Sequence, residues 1–269
     1  MIEININPNI ATVGPLLLTW HGLFSAIGLA LGIFAAGRMA QRHAHRTPGL
    51  EDQVYDTAFW AIIGGIVGAR LLHVIDQWQF YAQNPMTILA INEGGIAIYG
   101  AILGGSLAGW LYVLWKRYPV GQVADCGAAG LVLGQAVGRL GDVINGEHHG
   151  LPAPDLPFSV RYTHPETLGE YGLPVHLAVG YELVWDVLVF GIVVWLAKRG
   201  ARPGVPFWTY AVLYAAGRFI ISFYRVDNIV LFGLRQAQLV ALGFLAVGVL
   251  ALVLLQTRRP SRMALAGEQ

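Results

Sequence analysis

Charged side chains and cysteine are scarce in this chain of 269 residues. Charged residues make up 12% of it, against about 25% in an ordinary soluble domain, so they could not cover the surface of a soluble protein. The single cysteine, Cys126, cannot form an internal disulfide, and a formal net charge of +1 gives no basic field for nucleic acid. Hydrophobic residues reach 55%, which excludes a disordered chain. The composition is that of an integral membrane protein.

Seven apolar stretches are long enough to cross a bilayer, which takes about 20 mostly apolar residues in a helix. They are Leu16–Ala40, Val54–Ile75, Gly95–Trp115, Val123–Ile144, His176–Ala197, Val205–Phe223 and Ala237–Leu255. Small residues four apart in several of these stretches predict close packing of helix backbones. We therefore expect an all-α, polytopic membrane protein in which residues 1–269 form a single membrane domain with seven transmembrane helices.

The basic residues predict how the chain is oriented. Four short connections on one side of a chain with seven helices carry most of the lysines and arginines. They are Arg38, Arg42, Arg46, Lys116, Arg117, Lys198, Arg199, Arg202, Arg258, Arg259 and Arg262. By the positive-inside rule that side is cytoplasmic. The N-terminus is then outside and the C-terminus cytoplasmic, and the proline-rich connection 146–175 forms a small periplasmic or extracellular head.

Six arginines lie away from the basic side, and the positive-inside rule does not explain them. They are Arg70, Arg139, Arg161, Arg218, Arg225 and Arg235. A charge at the bilayer centre costs at least about 2.5 kcal/mol and is by default a functional candidate. One guanidinium group can donate two parallel hydrogen bonds to two oxygens of the same phosphate. Arginines that converge near the outer leaflet would therefore form a site for a phospholipid headgroup.

Acidic residues accompany these arginines. Asp142 follows Arg139 by three residues and shares its helix face, where a purely structural ion pair is the alternative to a catalytic role. Glu147 comes at the end of the same helix. Glu182 and Asp186 are one helical turn apart and form a candidate buried polar pair, with an arginine from another helix as a possible partner.

Neither a metal site nor a catalytic cysteine is expected. His148 and His149 are adjacent, so their rings diverge on a helix, and no third ligand is evident from the sequence. Cys126 lies among small residues near the predicted cytoplasmic end of its helix, where we expect it to serve packing. No cofactor is expected either.

The segment Gly138–Gly150 resembles the signature of the prolipoprotein diacylglyceryl transferases. It reads GRLGDVINGEHHG, and the family pattern is GRxGNFxNxExxG. Further motifs extend the resemblance along nearly the whole chain. They lie at Trp20–Leu23, Gly68–Leu71, Gly94–Gly100, His176–Glu182 and Gly217–Asp227.

The resemblance implies a multi-pass enzyme of the bacterial cytoplasmic (inner) membrane. Such an enzyme transfers the diacylglyceryl group of phosphatidylglycerol to the lipobox cysteine thiol of a lipoprotein precursor and releases glycerol phosphate. The implied partners are phosphatidylglycerol, the signal peptides of lipoprotein precursors and membrane lipids, with no nucleic acid. Two alternatives remain: a diverged paralogue with another acceptor or no catalysis, and a lipid-binding or lipid-transporting protein.

The expected substrate-binding residues are those that meet the phosphate or shape its surroundings. Arg139 and Arg218 are expected to bind the phosphate and to neutralise the negative charge that develops on it as it leaves. Arg70 is a third candidate for this role. Asn145 and Gly150 are expected to shape the helix end and the turn into the head.

The expected catalytic residues include Arg139 and Arg218 together with groups that handle the thiol proton. His21 is the candidate base because an ordinary imidazole titrates near working pH. Asp142 or Glu147 could instead take the proton or orient an arginine, and Tyr99 could donate a hydrogen bond to the lipid.

Several positions depart from the family pattern. Asp142 stands where the signature has asparagine, Val143 where it has phenylalanine, and Ser222 where a glutamate is usual. His21 replaces a tyrosine, whereas Tyr99 replaces a histidine. These two changes suggest that an imidazole and a phenol have exchanged places in one cavity.

Overall fold

The computed structural model of the protein is mostly helical and describes residues 1–14, 16–43, 47–90 and 94–257. Its helices are α1 Trp20–His43, α2 Leu50–Asp76, α3 Trp78–Gln83, α4 Ile98–Trp115, α5 Val120–Asn145, α6 Ala178–Lys198, α7 Val205–Ile221 and α8 Gln236–Thr257. Within the described residues, six of these are long and apolar enough to cross a membrane. The 17-residue α7 lies at the lower end of the length range for a spanning helix. The protein is therefore an all-α, polytopic membrane protein.

Short strands pair outside the helices. They are β1 Ile2–Ile4, β2 Asn9–Val13, β3 Leu16–Thr19, β4 Val160–Tyr162, β5 Ile229–Leu231 and β6 Leu234–Arg235. The pairs β2–β3 and β5–β6 are antiparallel hairpins, whereas β1 runs parallel to β4. The last pair connects the N-terminal strand to the segment between α5 and α6.

The expectation that the first helix begins at Leu16 is wrong. Residues 16–19 form β3, and α1 begins at Trp20, whose backbone N–H donates to the carbonyl of Pro8 at 3.2 Å. Pairing with β2 satisfies the backbone of this apolar run, so hydropathy alone could not locate the boundary. The other six expected segments coincide with α2 and α4–α8 apart from a few residues at their ends.

The chain divides into two compact units, Ala36–Gly127 and the combination of Met1–Ala35 with Ala128–Gln269. The first unit contains α2 and α4, which pack closely through glycines. A Cβ atom on Gly68 would lie 2.8 Å from the Cα of Gly104. This confirms the packing role expected for these glycines. Four basic residues of the orientation argument lie outside the described residues: Arg46, Arg258, Arg259 and Arg262.

In the second unit, α1 and α5 approach each other closely. A Cβ atom on Gly28 would lie 2.6 Å from the carbonyl oxygen of Gly134. Beyond α5, the segment before α6 packs on a small core of Val160, Tyr162 and Val175. The Tyr162 hydroxyl donates to the carbonyl of Val143 at 2.8 Å and so fixes this segment to the end of α5.

Candidate active site

Three arginines converge on the carboxylate of Glu182. Arg139 of α5 reaches Oε2 at 2.9 Å, and Arg225, which follows α7, reaches Oε1 at 3.1 Å. Arg218 of α7 donates to the same Oε1. Glu182 and Arg225 are buried, while Arg139 and Arg218 keep 17% and 23% of their side chains exposed. The cluster therefore has a buried carboxylate at its centre and two partly accessible guanidinium groups.

Asp142 joins this cluster to the beginning of α1. Its Oδ2 accepts from Nη1 of Arg139 at 3.0 Å, and its Oδ1 lies 2.5 Å from Nδ1 of His21. The Asp142 side chain is almost fully buried, whereas that of His21 is 44% exposed. A Cβ atom on Gly141 would lie 2.7 Å from the Cα of His21. The glycine thus permits the backbone contact that places the imidazole beside the carboxylate.

Glu147 and Asn145 lie at the end of α5, next to the same imidazole. Glu147 Oε2 is 3.6 Å from Nδ1 of His21, and its Oε1 accepts from the Asn145 amide at 2.9 Å. Ligand atoms of His21, Asp142 and Glu147 lie within 4.8 Å of one another, a spacing that one cation could bridge. Binding an ion would cost the hydrogen bond between His21 and Asp142, so the geometry is that of a hydrogen-bonded network.

Asn145 and Gly150 occupy positions where segments of backbone meet. Asn145 is buried, and its carbonyl accepts from the amide of Leu168 at 3.0 Å. Gly150 forms an antiparallel bridge with Arg225, and a Cβ atom there would collide with the carbonyl oxygen of His176. Asn145 thus fixes the end of α5 to the segment before α6. Gly150 lies against the backbone just before α6 and just after α7.

His148 and His149 face different carboxylates. His148 Nε2 lies 3.8 Å from Asp142, while His149 Nδ1 lies 3.5 Å from Glu170. Partial burial lowers the pKa of His148, and the positive charge of Arg225 lowers it further. His148 is therefore neutral at neutral pH, close to the arginine cluster.

A small open cleft adjoins the arginine cluster. It is lined by Glu182, Trp185, Asp186, Tyr214, Gly217, Arg218 and Ile221. Trp185 donates from its indole to the carbonyl of Leu213 at 2.8 Å, and a Cβ atom on Gly217 would collide with the indole. Ser222 donates to the carbonyl of Arg218 at 2.6 Å. It lacks the carboxylate that the family places at this position.

Arg70 and Tyr99 belong to the other compact unit. The guanidinium of Arg70 is buried and donates to four backbone carbonyls at 2.6–2.8 Å. These belong to Thr87, Ile88, Gly94 and Gly95. Tyr99 is the second residue of α4 and is 47% exposed. Arg70 thus holds the chain that leads into α4.

Sequence reasoning left Glu182 and Arg225 out of the proposed site. The sequence predicts that Glu182 forms a buried polar pair with Asp186 and takes an arginine from another helix as its partner. The structure gives it three such partners. The signal was available in the motif that contains Arg218 and Arg225, but only the fold shows that these two arginines face Glu182.

Comparison with known proteins identifies the family of this chain. The family model described as prolipoprotein diacylglyceryl transferase matches residues 8–254. A protein of Symbiobacterium thermophilum named phosphatidylglycerol--prolipoprotein diacylglyceryl transferase is 40% identical over 95% of this chain and 95% of its own length. Proteins of the same name from Synechococcus elongatus and a Nostoc species are 38% and 36% identical. These alignments cover 91% and 94% of this chain, and 86% and 90% of the relatives. The chain therefore belongs to the prolipoprotein diacylglyceryl transferase family.

Proposed function

We propose that this protein transfers the diacylglyceryl group of phosphatidylglycerol to the lipobox cysteine thiol of lipoprotein precursors. The reaction forms a thioether and releases glycerol phosphate. The observation that carries the proposal is the cluster of Arg139, Arg218 and Arg225 around one carboxylate, in a chain that belongs to this family. The proposed setting is the bacterial cytoplasmic (inner) membrane, with the head 146–175 on the outer side.

The arginine cluster is suited to a phosphate. Arg139 has a second carboxylate partner in Asp142, and Arg225 has one in Asp227. Among the residues that the structure describes, Glu182 is the one carboxylate within ion-pair distance of Arg218. Arg218 is also the most exposed of the three arginines. We therefore assign Arg218 the main contact with the phosphate, and Arg139 the second.

These arginines would act on the leaving group. When the glycerol carbon–oxygen bond breaks, the phosphate gains negative charge, and guanidinium groups already fixed by Glu182 can stabilise it without reorganising. The acceptor thiol has an ordinary pKa near 8.5, so it needs a proton acceptor at neutral pH. His21, Asp142 and Glu147 are the candidates, because all three lie beside Arg139 or its carboxylate partner.

The remaining proposed residues support the substrates. Tyr99 is proposed to donate a hydrogen bond to the lipid. Asn145 and Gly150 are proposed to shape the site through the helix end and the turn after it. Arg70 is retained as a candidate phosphate ligand, although its four carbonyl acceptors favour a role in holding the chain before α4.

Mass spectrometry of an acceptor peptide tests the function. Detergent-purified protein is mixed with phosphatidylglycerol and a lipobox peptide, and the peptide is then weighed. We expect a diacylglyceryl mass increase that a Cys→Ala peptide and an Arg139→Ala enzyme both abolish. Folded protein that binds the lipid but gives no mass increase would contradict the proposal. Such a result would favour a diverged paralogue with another acceptor, or a lipid-binding protein.

A further inference from the structure

Two departures from the family pattern are in direct contact. His21 stands where the family has tyrosine, and Asp142 stands where it has asparagine. The Nδ1 atom of His21 lies 2.5 Å from Oδ1 of Asp142, although the residues are 121 positions apart. Substitutions that meet in space in this way are expected when each accommodates the other. This pairing differs from the exchange of His21 with Tyr99 that the sequence suggested.

We propose that His21 is the general base for the acceptor thiol and that Asp142 is the positioning residue that holds its ring in the required tautomer. The proposal rests on the transferase function proposed above. The thiol proton moves to Nε2 of His21, and the sulfur forms a bond to the glycerol carbon that carries the phosphate. The carbon–oxygen bond breaks, and its electron pair leaves on the oxygen of glycerol phosphate.

The hydrogen bonds of Asp142 determine the tautomer. An ionised carboxylate only accepts hydrogen bonds, and Asp142 accepts from Arg139 through its other oxygen. Nδ1 of His21 must therefore carry the proton, which leaves the lone pair of the neutral ring on Nε2. Among the described residues Nε2 has no hydrogen-bond partner, and the His21 side chain is 44% exposed. The basic nitrogen is thus open to a substrate thiol.

Asparagine at position 142 would reverse this arrangement. An asparagine has one accepting end and one donating end. If its oxygen accepts from Arg139, its NH₂ group points to His21, whose Nδ1 must then accept. The ring proton moves to Nε2, which can no longer take a proton from a thiol. A tyrosine hydroxyl at position 21 could accept from the same NH₂ group, so tyrosine with asparagine is also a consistent pair. Restoring the family residue at position 142 alone should therefore slow transfer strongly.

The test compares His21→Tyr, Asp142→Asn and the double variant in two measurements. The first is peptide transfer, and the second is ¹⁵N NMR of histidine-labelled protein, which identifies the protonated ring nitrogen. For Asp142→Asn we expect the proton to move from Nδ1 to Nε2 and kcat to fall on the order of 100-fold, with little change in KM for phosphatidylglycerol. His21→Tyr should lose activity to a similar extent. The transfer activity of the double variant should be no lower than that of either single variant, because the two residues act as one unit.

Matched control substitutions lie in the head. His164→Tyr and Asp155→Asn make the same chemical changes away from the arginine cluster, and both should keep full activity. An Asp142→Asn enzyme with full activity, or a wild-type His21 protonated on Nε2, would overturn the proposal. A Glu147→Gln variant that loses more activity than His21→Tyr would also overturn it and assign the base to Glu147.

The two measurements separate this proposal from the function on which it rests. Wild-type protein that transfers lipid while the His21 variants remain active contradicts the base assignment alone. Wild-type protein that gives no transfer contradicts the function and the base role together. In that case the NMR result still reports whether Asp142 holds the tautomer.

Discussion

Arg139 Nη2 lies 2.9 Å from Oε2 of Glu182, which joins α5 to α6. The other oxygen of the same carboxylate binds Arg218 of α7 and Arg225 beyond it. One buried carboxylate therefore connects three consecutive helices and also fixes the guanidinium groups of the proposed phosphate site. If these arginines bind the phosphate as proposed, stability and substrate binding depend on the same residue.

Glu182→Gln should destabilise the protein strongly. Removing the carboxylate leaves three guanidinium groups without their shared partner, and breaking a buried pair in this way costs about 3–5 kcal/mol. Unfolding in detergent, followed by circular dichroism, measures the effect. Glu170→Gln is the control, because Glu170 is exposed and its pair with His149 contributes less than about 1 kcal/mol. Equal midpoints for the two variants would contradict the central role of Glu182.

Arg218→Ala should reduce transfer by about 10²–10³-fold, the range for loss of one group that stabilises developing charge. The transfer rate of Arg218→Lys should lie between those of wild type and Arg218→Ala. Lysine keeps the positive charge but cannot bind two phosphate oxygens in a bidentate geometry. The rate of glycerol phosphate release measures both variants. Arg199→Ala, which removes a cation–π contact with Trp195, is the control and should be unaffected. Equal rates for Arg218→Ala and wild type would remove Arg218 from the site.

Gly141→Ala should separate α1 from α5. Its Cβ would lie 2.7 Å from the Cα of His21 and 2.8 Å from the carbonyl oxygen of Trp20. Neither atom belongs to a flexible side chain. Overpacking of this kind costs about 1–3 kcal/mol, and transfer activity should fall with it. Gly127→Ala in the same helix meets no atom of the described residues within 4 Å and should leave the unfolding temperature unchanged or higher. Similar losses in both variants would show a general intolerance of alanine in α5.

His148 should make the protein less stable in mild acid. The pKa of His148 is lowered in the folded protein. As the pH falls, the unfolded chain therefore binds the proton at a higher pH than the folded protein does. Stability is therefore greatest above the unfolded pKa of about 6.5 and is lost as pH falls towards the folded value. His148→Asn should reduce the difference between the unfolding temperatures at pH 7.5 and pH 5.5. An unchanged difference would show that other groups cause the acid sensitivity.

Arg70→Lys should loosen the chain before α4. A lysine cannot reach four carbonyls in different directions, so several hydrogen bonds to a charged group are lost, each about 1.5–3 kcal/mol. Limited proteolysis between Asn84 and Ala90 should become faster. Unchanged proteolysis combined with weaker phosphatidylglycerol binding would instead make Arg70 a phosphate ligand.

The helical architecture could be predicted because a bilayer requires long apolar segments. The same rule made charges inside those segments conspicuous, and it led to Arg139 and Arg218. Hydropathy could not separate β3 from α1, because Leu16–Thr19 is as apolar as the helix that follows. Only the pairing of β3 with β2 sets the beginning of α1 at Trp20.

The contacts within the site could not be predicted from spacing. Which arginines meet Glu182 depends on the rotation of α5, α6 and α7 about their axes, and sequence periodicity leaves this open. The sequence also suggested an exchange between His21 and Tyr99, which stays a prediction. The direct partner of His21 proved to be Asp142, because glycines let α1 approach α5.

The pairing of β1 with β4 constrains the order of biosynthesis. Ile2 pairs with Val160, so β1 must wait for its partner until α1, α2, α4 and α5, which lie between the two strands in the chain, have been made. Both strands must also reach the same face of the membrane, which requires an even number of crossings between them. Inserting or deleting one crossing helix between β1 and β4 would place the two strands of this small sheet on opposite sides of the bilayer.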